Sequence, residues 1–242
     1  MAARLWSVVV DCHDPIRVGR WWAEALGWRV TGEAAQEVTV EAGDADRPFS
    51  CIFVPVPEPK AGKNRLHLDL SSASQEEQRT TVDYLLARGA TRVDIGQRNV
   101  PWVVLADPEG NEFCVLEPRE RYRGPERLAA VVVDAADPAA LADFWAAAAG
   151  WPIGYTSDDV VSLHRPGERP PDLEFVRVAD AKTGKNRVHL DVAPRLSDNR
   201  DAEVQRLLGL GARHVDVGQG LEVTWVVLAD PEGNEFCVLR PR

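Results

Sequence analysis

Two short segments place an imidazole and a carboxylate two residues apart, His67 with Asp69 and His189 with Asp191. Side chains alternate between faces along an extended strand. Arg65, His67 and Asp69 therefore share one side while Leu66, Leu68 and Leu70 share the other, and Arg187, His189 and Asp191 repeat the arrangement. A histidine oriented by a carboxylate can serve as a general base or as a metal ligand. Alternate residues on a strand stand about 6–7 Å apart, long for a direct hydrogen bond between short side chains, so a structural ladder of polar groups fits the same pattern. Later strands add Glu112 with Cys114, and Glu235 with Cys237, each pair on one face. Trp102 and Trp225 open the strands before these and are placed to stack on a flat ligand. The candidate ligand contacts are thus Arg65, Asp69, Trp102, Glu112 and Cys114, and their counterparts Arg187, Asp191, Trp225, Glu235 and Cys237. His67 and His189 are the candidate catalytic, proton-transferring groups.

These residues come in pairs because the chain repeats itself. WVVLADPEGNEFCVLEPR, residues 102–119, recurs as WVVLADPEGNEFCVLRPR, residues 225–242, with Glu117 against Arg240 as the one difference. KNRLHLDL (63–70) recurs as KNRVHLDV (185–192), and RLWSVVVDCHDP (4–15) as RLAAVVVDAADP (127–138). The copies span residues 1–118 and 127–242, and the charged stretch 119–126 reads as a linker. Each copy divides again. A β-branched run at 5–10 precedes Asp14-Pro15, a helix-opening pair, and Val18, Trp21, Trp22 and Ala25 fall at helical spacing before Gly27. Strands are expected at 37–41 and 49–55. The second half brings a strand at 65–70, a helix over 74–88 and strands at 91–95, 102–105 and 112–116. The last two are joined by Asp107-Pro-Glu-Gly-Asn111, a turn sequence. Both halves read β-α-β-β-β, which makes four modules.

Composition narrows the function classes. With 28 Lys and Arg against 38 Asp and Glu, the chain lacks the basic surface that phosphate binding requires, so neither nucleic acid nor anionic membrane is an expected partner. No apolar run reaches a membrane span, and a cytoplasmic location is expected. The four cysteines form no C-x-x-C pair and read as reduced, buried thiols. Glycine-rich phosphate loops and serine-hydrolase elbows are absent from the sequence.

The paired modules, the DPEGN turn before the final strand and the HLD strand resemble the glyoxalase/bleomycin-resistance/extradiol-dioxygenase group, the vicinal oxygen chelate superfamily. The resemblance implies an α+β fold in which four βαβββ modules form two tandem domains with cupped mixed sheets. It also implies metal-ligand positions at Ser7, Ile52, His67 and Cys114 in copy one and at Ala130, Glu174, His189 and Cys237 in copy two. So few of these are donors that no metal cofactor is expected; a divalent ion, if bound, would use Glu174, His189 and Cys237. The resemblance points to a protein that binds a small organic molecule in a polar and aromatic cup. Its alternative is a metal-assisted lyase, isomerase or epimerase that moves a proton next to a carbonyl. Oligomeric state stays open.

Overall fold

The computed structural model describes residues 3–43, 49–165, 171–220 and 223–242. Copy one contains β1 (Arg4–Cys12), α1 (Pro15–Leu26), β2 (Arg29–Ala34), β3 (Glu37–Glu41) and β4 (Ser50–Pro55). Its second module contains β5 (Leu66–Leu70), α2 (Gln75–Leu86), β6 (Thr91–Arg92), β7 (Val103–Ala106) and β8 (Glu112–Val115). Copy two repeats the order as β9 (Leu128–Ala135), α3 (Pro138–Ala149), β10 (Ile153–Thr156), β11 (Val160–Leu163) and β12 (Asp172–Arg177). It ends with β13 (Val188–Ala193), α4 (Arg200–Gly209), β14 (Arg213–His214), β15 (Val226–Ala229) and β16 (Glu235–Val238).

Local chemistry explains the element ends. Asp14 caps α1 by accepting from the Arg17 amide at 3.0 Å, Pro15 begins the helix, and Gly27 closes it at φ 69°, a left-handed conformation that glycine adopts without strain. Asp137, Pro138 and Gly150 do the same for α3. Two expectations need correction. The strands expected at 91–95 and at its repeat shrink to two residues, and the sequence expectations omit β2 and β10, which are almost wholly exposed and carry no buried apolar face.

The sheets do not follow the repeats. One eight-stranded sheet, here sheet A, has the order β14-β15-β16-β13-β1-β4-β3-β2, and sheet B has β10-β11-β12-β9-β5-β8-β7-β6. Each therefore joins one module from either copy: the first with the fourth, and the second with the third. The joins are antiparallel, β1 with β13 (Ser7 opposite Asp191) and β5 with β9 (Asp69 opposite Ala130). Lys63 reaches across copies to Asp134, and Lys185 to Asp11, so both loops between modules tie the seam.

One continuous apolar core contains residues of both sheets and the helices. Within copy one, Trp21 and Trp22 of α1 pack edge-on against Phe113 of sheet B, with ring centroids 5.6 and 5.1 Å away. The Trp22 indole N–H donates to Asp107 Oδ2 at 3.1 Å, and Asp107 also accepts from the amides of Glu109 and Asn111, so the DPEGN turn is pinned to the helix. Trp145 and Asp230 repeat the contact at 3.2 Å. Copies thus hold together through their helices, and sheets through their edges. The faces of the sheets turned away from this core are the two cups.

Candidate functional site

Strand alternation and strand pairing bring a His–Asp–Cys trio to the cup face of each sheet. In sheet A, His189 and Asp191 on β13 lie beside Cys237 on β16, with Asp191 registered opposite Cys237. In sheet B, His67 and Asp69 on β5 lie beside Cys114 on β8. Within each trio one nitrogen, one oxygen and one sulfur all lie within 4.8 Å of one another. The His67 Nε2–Asp69 Oδ1 distance is 3.3 Å and the His189 Nε2–Asp191 Oδ1 distance 3.8 Å. The side chains lean together across the pleat, so the roughly 6–7 Å backbone spacing overstates their separation. Neither contact is an aligned hydrogen bond: Asp69 Oδ1 and Asp191 Oδ1 are buried without any hydrogen-bond partner.

The electrostatics of the sheet A trio follow from burial. Burial lowers the His189 pKa to about 4, helped by the charge of Lys185, so its imidazole is neutral at pH 7. Burial raises Asp191 to about 7, opposed chiefly by the Ser7 hydroxyl, which donates to Oδ2 at 3.1 Å. Cys237 is driven far above the usual thiol range by burial and then by the Asp191 charge, and Cys114 is driven up by burial and Asp69. Both thiols are protonated as they stand, poor nucleophiles until a charge partner arrives.

Other expected site residues are employed elsewhere. Arg65 does not turn into its cup: its guanidinium donates to the Asp180 and Asp134 carbonyls at 2.7 and 2.6 Å and meets Glu232 of the other sheet at 3.2 Å. Arg187 donates to the Glu58 carbonyl at 2.7 Å and lies 3.6 Å from Glu109. Both positions end the loop before the strand, where alternation has not begun. Glu112 and Glu235 accept from Lys60 and Lys182 at 2.8 and 2.7 Å, and from the Asn64 and Asn186 amides, so each holds an intermodule loop. Trp102 and Trp225 pack beside Cys114 and Cys237, their indole N–H groups donating to Gln97 and Gln219 at 2.8 and 2.7 Å.

The cross-copy pairing also redistributes the implied metal positions. Ser7 and Ile52 belong with His189 and Cys237, whereas Ala130 and Glu174 belong with His67 and Cys114. The set Glu174, His189 and Cys237 is therefore split between sheets, because strand pairing, not chain order, decides which modules meet. Sheet A keeps two donors of the four. Sheet B keeps three, but Glu174 Oε1 already accepts from the Tyr122 hydroxyl, from Ser162 at 2.8 Å and from Arg121 at 2.7 Å. The four-position site fits neither cup. Among the described residues the His–Asp–Cys trios are the remaining donor sets of three, and N, O and S donors together suit a borderline ion such as Zn²⁺.

Tyr122 is a residue of the sheet B site that the sequence did not disclose. It lies in a 3-10 turn of the linker (Glu120–Tyr122), and its ring is buried at 5% exposure among Cys114, Leu116, Ala130 and Val132. Sheet B is thus closed by its own linker. Where Glu174 anchors the phenol, opposite Val132, sheet A has Ile52 opposite Val9. Its cup is walled by Ala193, Cys237 and Leu239 with the half-buried Trp6, Trp225 and Val227.

Known proteins share this fold. Two mutants of glyoxalase I from Zea mays superpose with TM-scores of 0.70 and 0.66 at 13% and 12% identity, covering 99% of this chain and 94% and 92% of theirs. A protein of Bacillus subtilis subsp. subtilis str. 168 superposes with a TM-score of 0.64 at 11% identity over 98% of this chain and 84% of its own. At such identities the likeness is one of fold. No curated protein matches the chain. No helix among the described residues is long and apolar enough to cross a membrane. The family model for the glyoxalase-like domain matches residues 7–116 and again residues 130–239, and the chain belongs to that family as a tandem pair.

Proposed function

We propose that the chain binds a small organic molecule in the cup of sheet A, over a floor made by His189, Asp191 and Cys237. The observation that carries this reading is Asp191 Oδ1, buried with no hydrogen-bond partner and turned toward the neutral His189 ring. An unsatisfied buried oxygen costs roughly 1–3 kcal/mol, a cost that a bound polar group repays. Trp6 and Trp225 supply apolar walls above the floor, the usual make-up of a specific small-molecule pocket. A panel of partly aromatic compounds, followed by melting temperature and tryptophan fluorescence, tests the reading. Binders should stabilise the native protein by mass action and lose that effect in Trp225→Ala; a broad panel without a single shift contradicts it.

The His–Asp–Cys trio favours a second reading, a metal-assisted lyase, isomerase or epimerase. His189, Asp191 and Cys237 would hold the divalent ion, and the ion would supply Lewis acidity toward a carbonyl oxygen. Metal analysis of protein purified without chelator decides between them. A stoichiometric transition ion that disappears in His189→Ala supports the enzyme, and a protein that stays metal-free after incubation with Zn²⁺ rejects it.

A further inference from the structure

The two copies differ by one residue in their longest shared segment, and that residue sits beside a cup. In sheet B, Arg119 lies with its guanidinium 5.7 Å from the Trp102 ring centre and is paired with Glu117 at 2.7 Å. In sheet A the corresponding arginine is Arg242, 5.4 Å from the ring centre of Trp6, and the residue in place of Glu117 is Arg240. Arg242 forms no ion pair among the described residues. Arg4 also approaches the Trp6 indole, at 5.7 Å, and donates to the Arg242 carbonyl. The charge balance of the cups therefore diverges. Sheet B sets Arg119 and Arg121 against Glu117 and Glu174, both already engaged. In sheet A the charge of Arg242 acts on Asp191, and Arg240 stands where sheet B has the carboxylate of Glu117.

We propose that the cup of sheet A selects a small flat organic anion, an aromatic or conjugated carboxylate, whose charged end meets Arg242 and whose body lies against Trp6 and Trp225. Three observations converge. A guanidinium without a carboxylate partner offers a planar fork of N–H donors that matches a carboxylate. Indole faces beside it suit a flat body. Tyr122 and the Glu117–Arg119 pair deny both features to sheet B, so one chain carries one such site. This assignment rests on the reading that the sheet A cup binds a small molecule.

The cysteines allow a test with synthetic probes, because Cys237 lies in the sheet A cup, Cys114 in the sheet B cup, and Cys12 and Cys51 in the core. The intact protein is treated with 4-maleimidobenzoate, a flat aromatic acid, or with N-phenylmaleimide, its neutral counterpart, and labelling is followed at each cysteine by peptide mass. The acid should label Cys237 about fivefold faster than the neutral reagent does, the scale of one solvent-edged charge pair. Arg242→Met should abolish that advantage, read as the ratio of the acid's rate to the neutral reagent's in the same variant, Arg119→Met should leave the ratio as it is, and Cys114 should lag under both reagents. Equal rates of the two reagents at Cys237, or an equal effect of Arg119→Met, overturn anion selection while leaving the cup as a binding site. If neither reagent labels Cys237, whose thiol resists ionisation as those of the core do, the unreactive succinimide analogues are titrated instead, and no change in tryptophan fluorescence with either one overturns the binding reading as well.

Discussion

Ser7 and Asp191 lie 184 positions apart and are hydrogen bonded at 3.1 Å, hydroxyl to carboxylate, across the β1–β13 seam. The contact joins the first module to the fourth, and it gives Asp191 its hydroxyl donor. Ser7→Ala should cost about 1–2 kcal/mol, because the other oxygen of Asp191 is already unpartnered and the carboxylate is left with less compensation. Urea denaturation measures the loss. In sheet B the corresponding position is Ala130, so Ala130→Ser should not incur that cost.

Asp191 and His189 bend the pH dependence of stability in opposite directions. Asp191 titrates near 7 in the fold against an ordinary 3.8, so the native state binds the extra proton and its contribution falls as pH rises from about 4 to about 7. His189 titrates near 4 against an ordinary 6.5, so the unfolded state binds the extra proton and its contribution rises as pH rises from about 4 to 6.5. Each amounts to roughly 3–4 kcal/mol, and together they nearly cancel over the shared window. Asp191→Asn should therefore make the melting temperature climb steeply from pH 4 to 6.5, and His189→Gln should make it fall from pH 4 to 7. A flat profile in both variants would contradict the assigned shifts.

Tyr122 fills the cup of sheet B and bonds Glu174, which Ser162 and Arg121 also hold. Tyr122→Phe leaves Glu174 two partners and should cost about 1 kcal/mol, whereas Tyr122→Ala empties a packed site and should cost roughly 3–4 kcal/mol. In the alanine variant, Cys114 should also become open to N-phenylmaleimide while Cys12 and Cys51 stay protected. Protection of all three would show that other side chains close the cup.

An isolated first copy, residues 1–126, would present β1 and β5 as two uncovered inner edges, because their native partners β13 and β9 belong to copy two. Unpaired edges seek strands. The fragment's own β5 has the sequence pattern of β13, LHLDL against VHLDV, and β1 that of β9. Size-exclusion chromatography with light scattering should find the fragment as a dimer with β1 of one chain on β5 of the other. A stable folded monomer would show that a single copy closes its own cup.

Much of this molecule follows from residue order. The repeat announces four modules, the Asp-Pro starts and Gly27 stop place α1 and α3, and two-residue alternation turns His67, Asp69, His189 and Asp191 away from the leucines that need the core. The helix ends and strand faces are local consequences of backbone geometry, legible within a dozen residues, and the repeat carries them from one copy to the other. The membership of each cup is not local. The segments ending in β5 and β13 are near copies, so neither strand carries a pattern that says which of β1 and β9 it joins, and the helices' anchoring within each copy decides the matter. That choice moves Glu174 away from His189 and sends Arg65 to Glu232. It also turns a charged linker into a plug, since Tyr122 has somewhere to bury its ring only after two distant modules have built the cup around it.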